Sequence, residues 1–585
     1  MDTVRAIPHN SARESDERIC VRKRWKTAGI LCVFQGFPNA FLAERIRQNP
    51  KAQLCGVALD SHRRLLRGIS CLGVNDMGER MPGQRNSMFY GAMLLTAGSI
   101  GLRLVQLAFQ VYISGVMGAA GLGRMQLIMT VGGFAAILAS GGVRIAVTYL
   151  AAQEAGRDHP EGVRAAVRCC AVYGGVLSSV VGLLLWCLSG AIAEGWIEDM
   201  QAVLPLRIFA AFLPVTVLWS VLAGYYTAAG RITELVGLEF FERLSSIALV
   251  VAGIQLEPEG LDPCTVIFLG SSVATLLSFL LLLRRYLKTV QGIPASSCGA
   301  MMRRLLRLTI PLGCNDMLRS GLGAVENLLV PKGLKMGGRD GEKAIAEYGT
   351  VCGMVFPVIT FPSVILYSIS DLLVPEMARC QAKGRMERVR FLADKCLRLT
   401  LFLAGAAAGL GLGLGEQLGA LLFQSSEAGA YICMFSLLVL MLYPDAITDG
   451  MLKGLGQQLH SVRYNTVTSL LDVGLLALLL PRYGMGGFLC AFTVSHGVNF
   501  FLSLRRLMVV TGYLPRFYAT AKAAAAGTAG WLLLRWLEPE SAVLPMLGAA
   551  AAYLAVYGGL LLITGALSRD DFRWLWGMMH RKSGE

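Results

Sequence analysis

The sequence predicts an all-α polytopic membrane protein with fourteen transmembrane helices, two pseudo-symmetric six-helix lobes and two additional helices at the C-terminus. Three observations predict it: the number and length of the apolar runs, the sorting of Lys and Arg between alternate loops, and an internal repeat.

Of the 585 residues, 54% are hydrophobic and 16% charged, and the mean hydropathy is +0.55. That is far from a soluble composition. A helix needs about 20 apolar residues to cross a hydrocarbon core of roughly 30 Å. Runs of that order fall, in chain order, at 88–113, 125–149, 166–190, 203–223, 237–256, 264–283, 310–330, 347–370, 396–415, 428–450, 464–481, 486–504, 517–537 and 542–566.

The formal net charge is +15, but position removes the case for nucleic acid. With strict alternation, one set of loops holds 27 Lys and Arg and the other holds eight: Arg124, Arg207, Lys332, Lys335, Arg339, Lys343, Arg482 and Arg535. The positive-inside rule places the rich side, and both ends of the membrane domain, in the cytoplasm. The expected location is the cell membrane, multi-pass.

The repeat appears where the fourth run ends in "GYYTAAGRITE" and the tenth in "GMLKGLGQQLH". Gly224 and Gly230 match Gly450 and Gly456 at an offset of 226, and "LAAQEAGR" resembles "ARCQAKGR" at 228. Six helices followed by six in the same orientation describe two parallel lobes. Small residues, as in "VGGFAAILASGG" and "GLGLGEQLGA", let such helices pack closely. The expected parts are an extension 1–87, lobes 88–290 and 303–510, two further helices in 515–566 and a tail 567–585.

The extension is polar and basic ("VRKRWK", "SHRRLLRG") with one short apolar patch, "AGILCVFQGFPNAFL". Gln and Pro in that patch and the lack of a small-residue cleavage site argue against a signal peptide. It is expected to be poorly ordered. Alternatively translation starts at Met77 or Met81, since Gly78-Glu79 can be encoded by a purine-rich ribosome-binding sequence; a native N-terminal peptide mapping before Met77 would exclude this. The 15 cysteines show no CxxC pair and the histidines no metal-like cluster, so no metal or cofactor is expected.

Four basic residues, Arg103, Arg144, Arg243 and Arg319, remain at membrane depth. Each costs about 2.5–3.5 kcal/mol at a helix centre on the insertion scale, so each should face protein or a wet cavity. Thr96, Ser99, Arg103, Gln106 and Gln110 step by three and four along the first helix and form one polar stripe. Asn315, Arg319 and Glu326 make a similar face on the seventh helix. Glu239, Arg243 and Ser246 do so on the fifth, and an offset of 226 maps them onto Asn465, Ser469 and Asp472 of the eleventh. A central cavity between the lobes is the simplest common cause.

Local spacing gives Arg243 a partner in Glu239 and Arg319 a partner in Asp316. Arg103 and Arg144 have no acid within four residues. Their partner must come from another helix, Glu326 being one candidate, or from an anionic ligand; Arg144 also lies close enough to the cytoplasmic interface to snorkel. A guanidinium suits phosphate because its planar fork donates two parallel hydrogen bonds and keeps its charge. Ser99, Arg103, Gln106, Gln110, Arg144, Arg243 and Arg319 are therefore the candidate substrate-binding residues. Glu326, Asp472 and Glu239 are candidates for a coupling H⁺ or Na⁺. Asp371, Asp445 and Asp449 fall near cytoplasmic helix ends, where solvation is cheap. His496 and Asn499 could extend a polar path or simply be hydrogen-bonded.

The segment "YGTVCGMVFPVITFPSVILYSISDLLVPEMA" (348–378) resembles the eighth helix of the polysaccharide flippases, particularly the stage V sporulation protein B group. "ENLLVPKGL", "LKGLGQ", "LLPRYGMGG", "GLGRMQLI" and "EFFERLSSIALV" are similar to further parts of that pattern. The resemblance covers about residues 88–510. It implies the multidrug/oligosaccharidyl-lipid/polysaccharide exporter fold, like that of the multidrug exporters and peptidoglycan-precursor flippases, with alternating access to a central cavity. It also implies a non-enzymatic flippase that moves a polyprenyl-(pyro)phosphate-linked saccharide to the outer leaflet, with a role in cell-wall, spore-cortex or polysaccharide synthesis. By place, Arg103 and then Arg144 correspond to the arginines held to bind pyrophosphate in the peptidoglycan-precursor flippases.

The expected partners are the lipid-linked saccharide and membrane lipids, with cell-wall synthesis proteins as a further option. Two alternatives stay open. A proton- or Na⁺-coupled multidrug exporter should carry an acid in the first lobe's cavity, and the first helix offers none. A non-transporting scaffold for cell-wall synthases should tolerate mutation of the cavity. No nucleophile with a base or phosphate-cradling loop supports an enzyme.

Overall fold

Helix covers every one of the predicted apolar runs. The computed structural model describes residues 84–256, 262–294, 299–515, 517–537, 541–568 and 571. The side chains of 84–100, and of a few other helical residues including Asn315 and Asp371, lie outside the described set. So does the expected N-terminal extension up to residue 83.

In chain order the helices are α1 (Gln84–Ser140), α2 (Val143–Ala155), α3 (Pro160–Ile192), α4 (Val203–Ala228), α5 (Ile232–Gln255), α6 (Pro263–Thr289), α7 (Gly299–Met336), α8 (Gly341–Gly349), α9 (Phe356–Thr360), α10 (Ser363–Ala382), α11 (Met386–Phe423), α12 (Ser426–Ser436), α13 (Val439–Gly454), α14 (Gln458–Tyr483), α15 (Met485–Thr511), α16 (Phe517–Leu537) and α17 (Val543–Ile563). Among the described residues there is no strand. α1 carries the first predicted span and most of the second; it folds back at Gly118, where φ of 69° lies outside helical geometry. The eighth span is broken into α8, a π-helical turn Thr350–Val355, α9 and α10.

Eight segments among the described residues are long and apolar enough to cross a bilayer, and α12 with α13 make a ninth if that pair, bent by 55°, is one span. α5 falls short because Glu239, Glu242 and Arg243 interrupt it. α7 falls short because Asn315, Asp316 and Arg319 lower its hydropathy. α16 and the broken eighth run also fall short, so the shortfall includes the two helices where polar function was expected but is not confined to them.

The backbone repeats as the sequence suggested. α3 packs on α4 as α11 packs on α12, α5 on α6 as α14 on α15, α4 on α6 as α13 on α15, and α2 on α4 as α10 on α13. Three left-handed turn residues recur at an offset of 226: Asp158 and Gly384 (φ 54° and 67°), Glu198 and Gln424 (58° and 52°), and Gly230 and Gly456 (71° and 68°). This corrects the 228 offset read from "LAAQEAGR". Gly156 is right-handed, φ −67°, so the residue equivalent to Gly384 is Asp158, and likeness of composition had shifted the register by two.

Beyond Gly118, α1 touches α8 and the π turn at close range. A Cβ on Gly349 would overlap the Ala119 carbonyl and the backbone of Gly123, so the two chains meet there without side chains between them. Gln110 Nε2 donates to the Gly353 carbonyl at 2.9 Å beside this contact.

α7 is tied to the first lobe at both of its ends. At one, Arg304 donates to Glu154 at 2.9 Å and to Gln153 at 2.7 Å. At the other, Lys332 donates to the Gly195 carbonyl at 2.9 Å and Lys335 pairs with Glu198. Arg304 and Lys335 are about 46 Å apart along the helix at 1.5 Å per residue, which is more than a bilayer core. The second pair lies at the Lys- and Arg-poor end, next to the Arg124–Asp199 ion pair of 2.5 Å.

Candidate functional site

The four arginines at depth have unequal surroundings. Arg103, on the first arm of α1, stacks over the Tyr367 ring of α10 at 5.3 Å. No carboxylate lies within 4.0 Å of it among the described residues. A guanidinium on an aromatic face keeps its hydrogen-bond donors free at the rim. Tyr367 and Gly353 both belong to the second lobe, so Arg103 and Gln110 lie where α1 faces that lobe. Gln106 is exposed on the same helix. The side chain of Ser99 lies outside the described set.

Arg144 Nη2 stands 3.7 Å from Glu239 Oε1 across the α2–α5 contact. Arg243 and Arg319 are exposed and form no ion pair within 4.0 Å among the described residues. The local pairings expected for them are therefore corrected. Glu239 points to α2 instead of up its own helix, and Asp316 does not reach Arg319. Glu242, a further acid of α5, accepts from Thr275 Oγ1 at 2.8 Å.

Arg319 sits between Gly313 and Gly321, the two points at which α7 lies against Gly141 and Phe134 of the first lobe. Arg103, Arg144, Arg243 and Arg319 thus belong to α1, α2, α5 and α7, and three of the four have no carboxylate partner within the described residues.

The acids gather in the second lobe. Asp472 on α14, 4% exposed, accepts from Ser495 Oγ at 2.9 Å. Asp445 on α13 is bonded by Asn499 Nδ2 at 2.8 Å and lies 3.1 Å from His496 Nδ1, both on α15. Asn499 Nδ2 also donates to Asn465 Oδ1 at 2.9 Å. Glu326 of α7 completes the group, with Ser469, Asp472 and His496 close enough to act on it. Two buried acceptors in this cluster, Glu326 Oε1 and Asn499 Oδ1, have no hydrogen-bond partner.

Two of these residues were misjudged or missed in the sequence. Asp445 was placed at a solvated helix end, yet it is 8% exposed, packed against His496 and Asn499 of α15. Tyr367 gave no signal of its own; only its place in the eighth-run segment drew notice. His496 and Asn499 are both hydrogen-bonded to Asp445, which is the plainer of the two expectations for them. No group of three or more His, Cys, Asp or Glu suited to a metal occurs among the described residues.

These features define a multi-pass helical membrane protein of the two-lobed transporter fold. The chain carries a polysaccharide biosynthesis protein family match over residues 89–330 and is homologous to stage V sporulation protein B of Bacillus subtilis (strain 168), bearing out the resemblance read from its eighth run. That relative is 23% identical over 507 residues, which cover 84% of this chain and 98% of the relative. Sporulation protein YkvU of the same organism is 21% identical over 383 residues, 63% of this chain and 84% of its own. Among solved structures, lipid II flippase MurJ in an inward closed conformation superposes with a TM-score of 0.63 at 11% identity, covering 83% of this chain and all of that one. An inward-facing multidrug resistance MATE family transporter gives 0.56 at 14%, covering 72% and 99%. Identities this low speak for the fold alone.

Proposed function

We propose that this protein is a non-enzymatic flippase that carries a polyprenyl-(pyro)phosphate-linked saccharide from the cytoplasmic to the outer leaflet by alternating access. The observation that carries the reading is Arg103: a guanidinium at depth, held on the Tyr367 ring where the two lobes face each other, with no carboxylate within 4.0 Å among the described residues. A phosphate or pyrophosphate head group supplies the missing negative charge and accepts the free donors. Arg243 and Arg319, also without a carboxylate within 4.0 Å among the described residues, add to an anion-favouring field, and Arg144 holds Glu239 out of it. A charged head group cannot cross bare hydrocarbon, so it takes the protein path while the polyprenyl chain stays in lipid.

The charge asymmetry of the loops supports a cytoplasmic location for both ends of the membrane domain in the cell membrane. In that orientation the Lys335–Glu198 pair and the Gly349 contact close the outer end. The second-lobe cluster is the place for a coupling ion. A proton on Glu326, or Na⁺ among Glu326, Asp472 and their amide neighbours, would satisfy the buried acceptors left without a hydrogen bond. Glu239 suits that task less, since it is paired with Arg144.

A cation-exporting reading needs an available acid on the first lobe's side; there Glu239 is paired with Arg144 and Glu242 accepts from Thr275. A labelled polyprenyl-pyrophosphate saccharide in proteoliposomes tests the proposal, with wild type compared against Arg103→Ala at equal protein content.

A further inference from the structure

Tyr367 of α10 is more than a seat for Arg103. The guanidinium lies over one face of the ring, 5.3 Å from its centre. The side chain is nevertheless 47% exposed, so the opposite face and the rim are open. A guanidinium at depth needs water or protein around it, and Arg103 is itself exposed. The open face of Tyr367 therefore looks into the wet space between the lobes and not into lipid.

Packing does not call for a ring at this position. The offset of 226 puts Tyr367 where the first lobe has Gly141, just as it puts Ser370 where the first lobe has Arg144. The second pairing is visible in the packing: a Cβ on Gly224 would meet the Arg144 carbonyl, and one on Gly450 would meet Ser370. In the first lobe the position is closed by backbone, since Gly313 of α7 lies against Gly141. In the second lobe it carries a half-exposed aromatic side chain beside a charge on α1, placed to meet a molecule from outside the chain.

The surroundings select its chemistry. Gln106, exposed one turn beyond Arg103 on the same stripe of α1, offers an amide donor and an amide acceptor. An alkyl chain gains nothing beside a guanidinium and an amide, and an aromatic cation is repelled by Arg103. A pyranose ring matches the set: it has a face of C–H groups for the aromatic ring and a rim of hydroxyls for the amide. When it is joined to a pyrophosphate, it lies one phosphoester linkage from the anion that Arg103 attracts.

We propose that Tyr367 recognises the saccharide: the first pyranose ring, bonded to the pyrophosphate held at Arg103, stacks on the uncovered face of Tyr367 and turns its hydroxyls toward Gln106. This role rests on the flippase reading and adds to it the residue that tells a sugar-bearing lipid from the bare carrier. Arg103 alone does not make that distinction, because both lipids carry the pyrophosphate. Recognition then requires both lobes, with the anion gripped from α1 and the sugar from α10.

The test is equilibrium binding of two probes, undecaprenyl pyrophosphate and undecaprenyl-pyrophosphate N-acetylglucosamine, to the full chain in nanodiscs. The wild type should hold the sugar-bearing lipid about fivefold more tightly, the order of one aromatic contact. Tyr367→Leu should bring that ratio to about one, while Tyr367→Phe and Tyr367→Trp, which keep a ring, should preserve it. Gln106→Ala should lower it in part. The ratio is the readout because lost support for Arg103 weakens both lipids alike and cancels. Equal affinity of the wild type for the two lipids would overturn the proposal, and so would a ratio unchanged in Tyr367→Leu, which would leave the ring as a support for Arg103 only. Failure of the flippase reading itself looks different: the wild type then binds neither lipid, or Arg103→Ala leaves both affinities unchanged.

Discussion

Arg144 reaches Glu239 across the contact between α2 and α5 at 3.7 Å, while Arg243, one turn from Glu239 on the same helix, has no carboxylate within 4.0 Å among the described residues. A single acid thus settles which of two arginines is neutralised. The free charge is left on α5, and the paired one sits toward the Lys- and Arg-rich end.

Glu239→Gln keeps a hydrogen-bond acceptor for Arg144 but removes the charge. Both partners are more than a third exposed, so the loss of stability should stay below about 1 kcal/mol. Head-group transport should fall modestly and its ion dependence should persist. Loss of ion dependence in this variant would move the coupling site into the first lobe.

Asp472→Asn and Glu326→Gln remove the two acids of the second-lobe cluster while keeping their shape. The account expects transport driven by a proton or Na⁺ gradient to collapse to the rate without a gradient in either variant, with substrate binding retained. Proteoliposome flux under an imposed gradient, measured beside equilibrium binding of the lipid, separates the two effects.

Rocking of the lobes requires that the contacts at the two ends of α7 do not persist together. Cross-linking a Cys pair at positions 154 and 304, or at 198 and 335, with a short cleavable reagent should arrest turnover, and cleavage should restore it. Unchanged flux with either pair cross-linked would show that α7 moves with the first lobe as a rigid strut.

The Asp571 carboxyl is pulled two ways. Burial alone would raise its pKa, but the bond from Lys395, those from the Ser568 backbone and hydroxyl, and the charge of Arg398 outweigh burial and hold it below the ordinary value of 3.8. A depressed folded pKa contributes stability that is present above the unfolded pKa and lost as pH falls through the folded one. The melting temperature of the wild type should therefore decline below about pH 4 more steeply than that of Asp571→Asn, which starts lower and lacks this component.

Much of the fold was legible because length and apolarity are local properties that a bilayer selects directly. The repeat showed because turns at Gly230 and Gly456 need a left-handed residue in both lobes. Partners were less legible. An i,i+4 spacing puts Glu239 within reach of Arg243, but α2 presents Arg144 to the same carboxylate and wins it. Tyr367 and Asp445 depend on how α10 and α13 are bent and rotated, and no local pattern encodes that.

The most direct test compares translocation of a labelled polyprenyl-pyrophosphate saccharide by the wild type, Arg103→Lys and Arg103→Ala in proteoliposomes. The account predicts movement by the wild type, partial movement by the lysine variant, which keeps the charge but loses the planar fork, and loss of at least about tenfold in the alanine variant, the order of one charge-assisted hydrogen bond. Full activity in Arg103→Ala, or ion-driven export of a cationic dye with no lipid movement by the wild type, would contradict it.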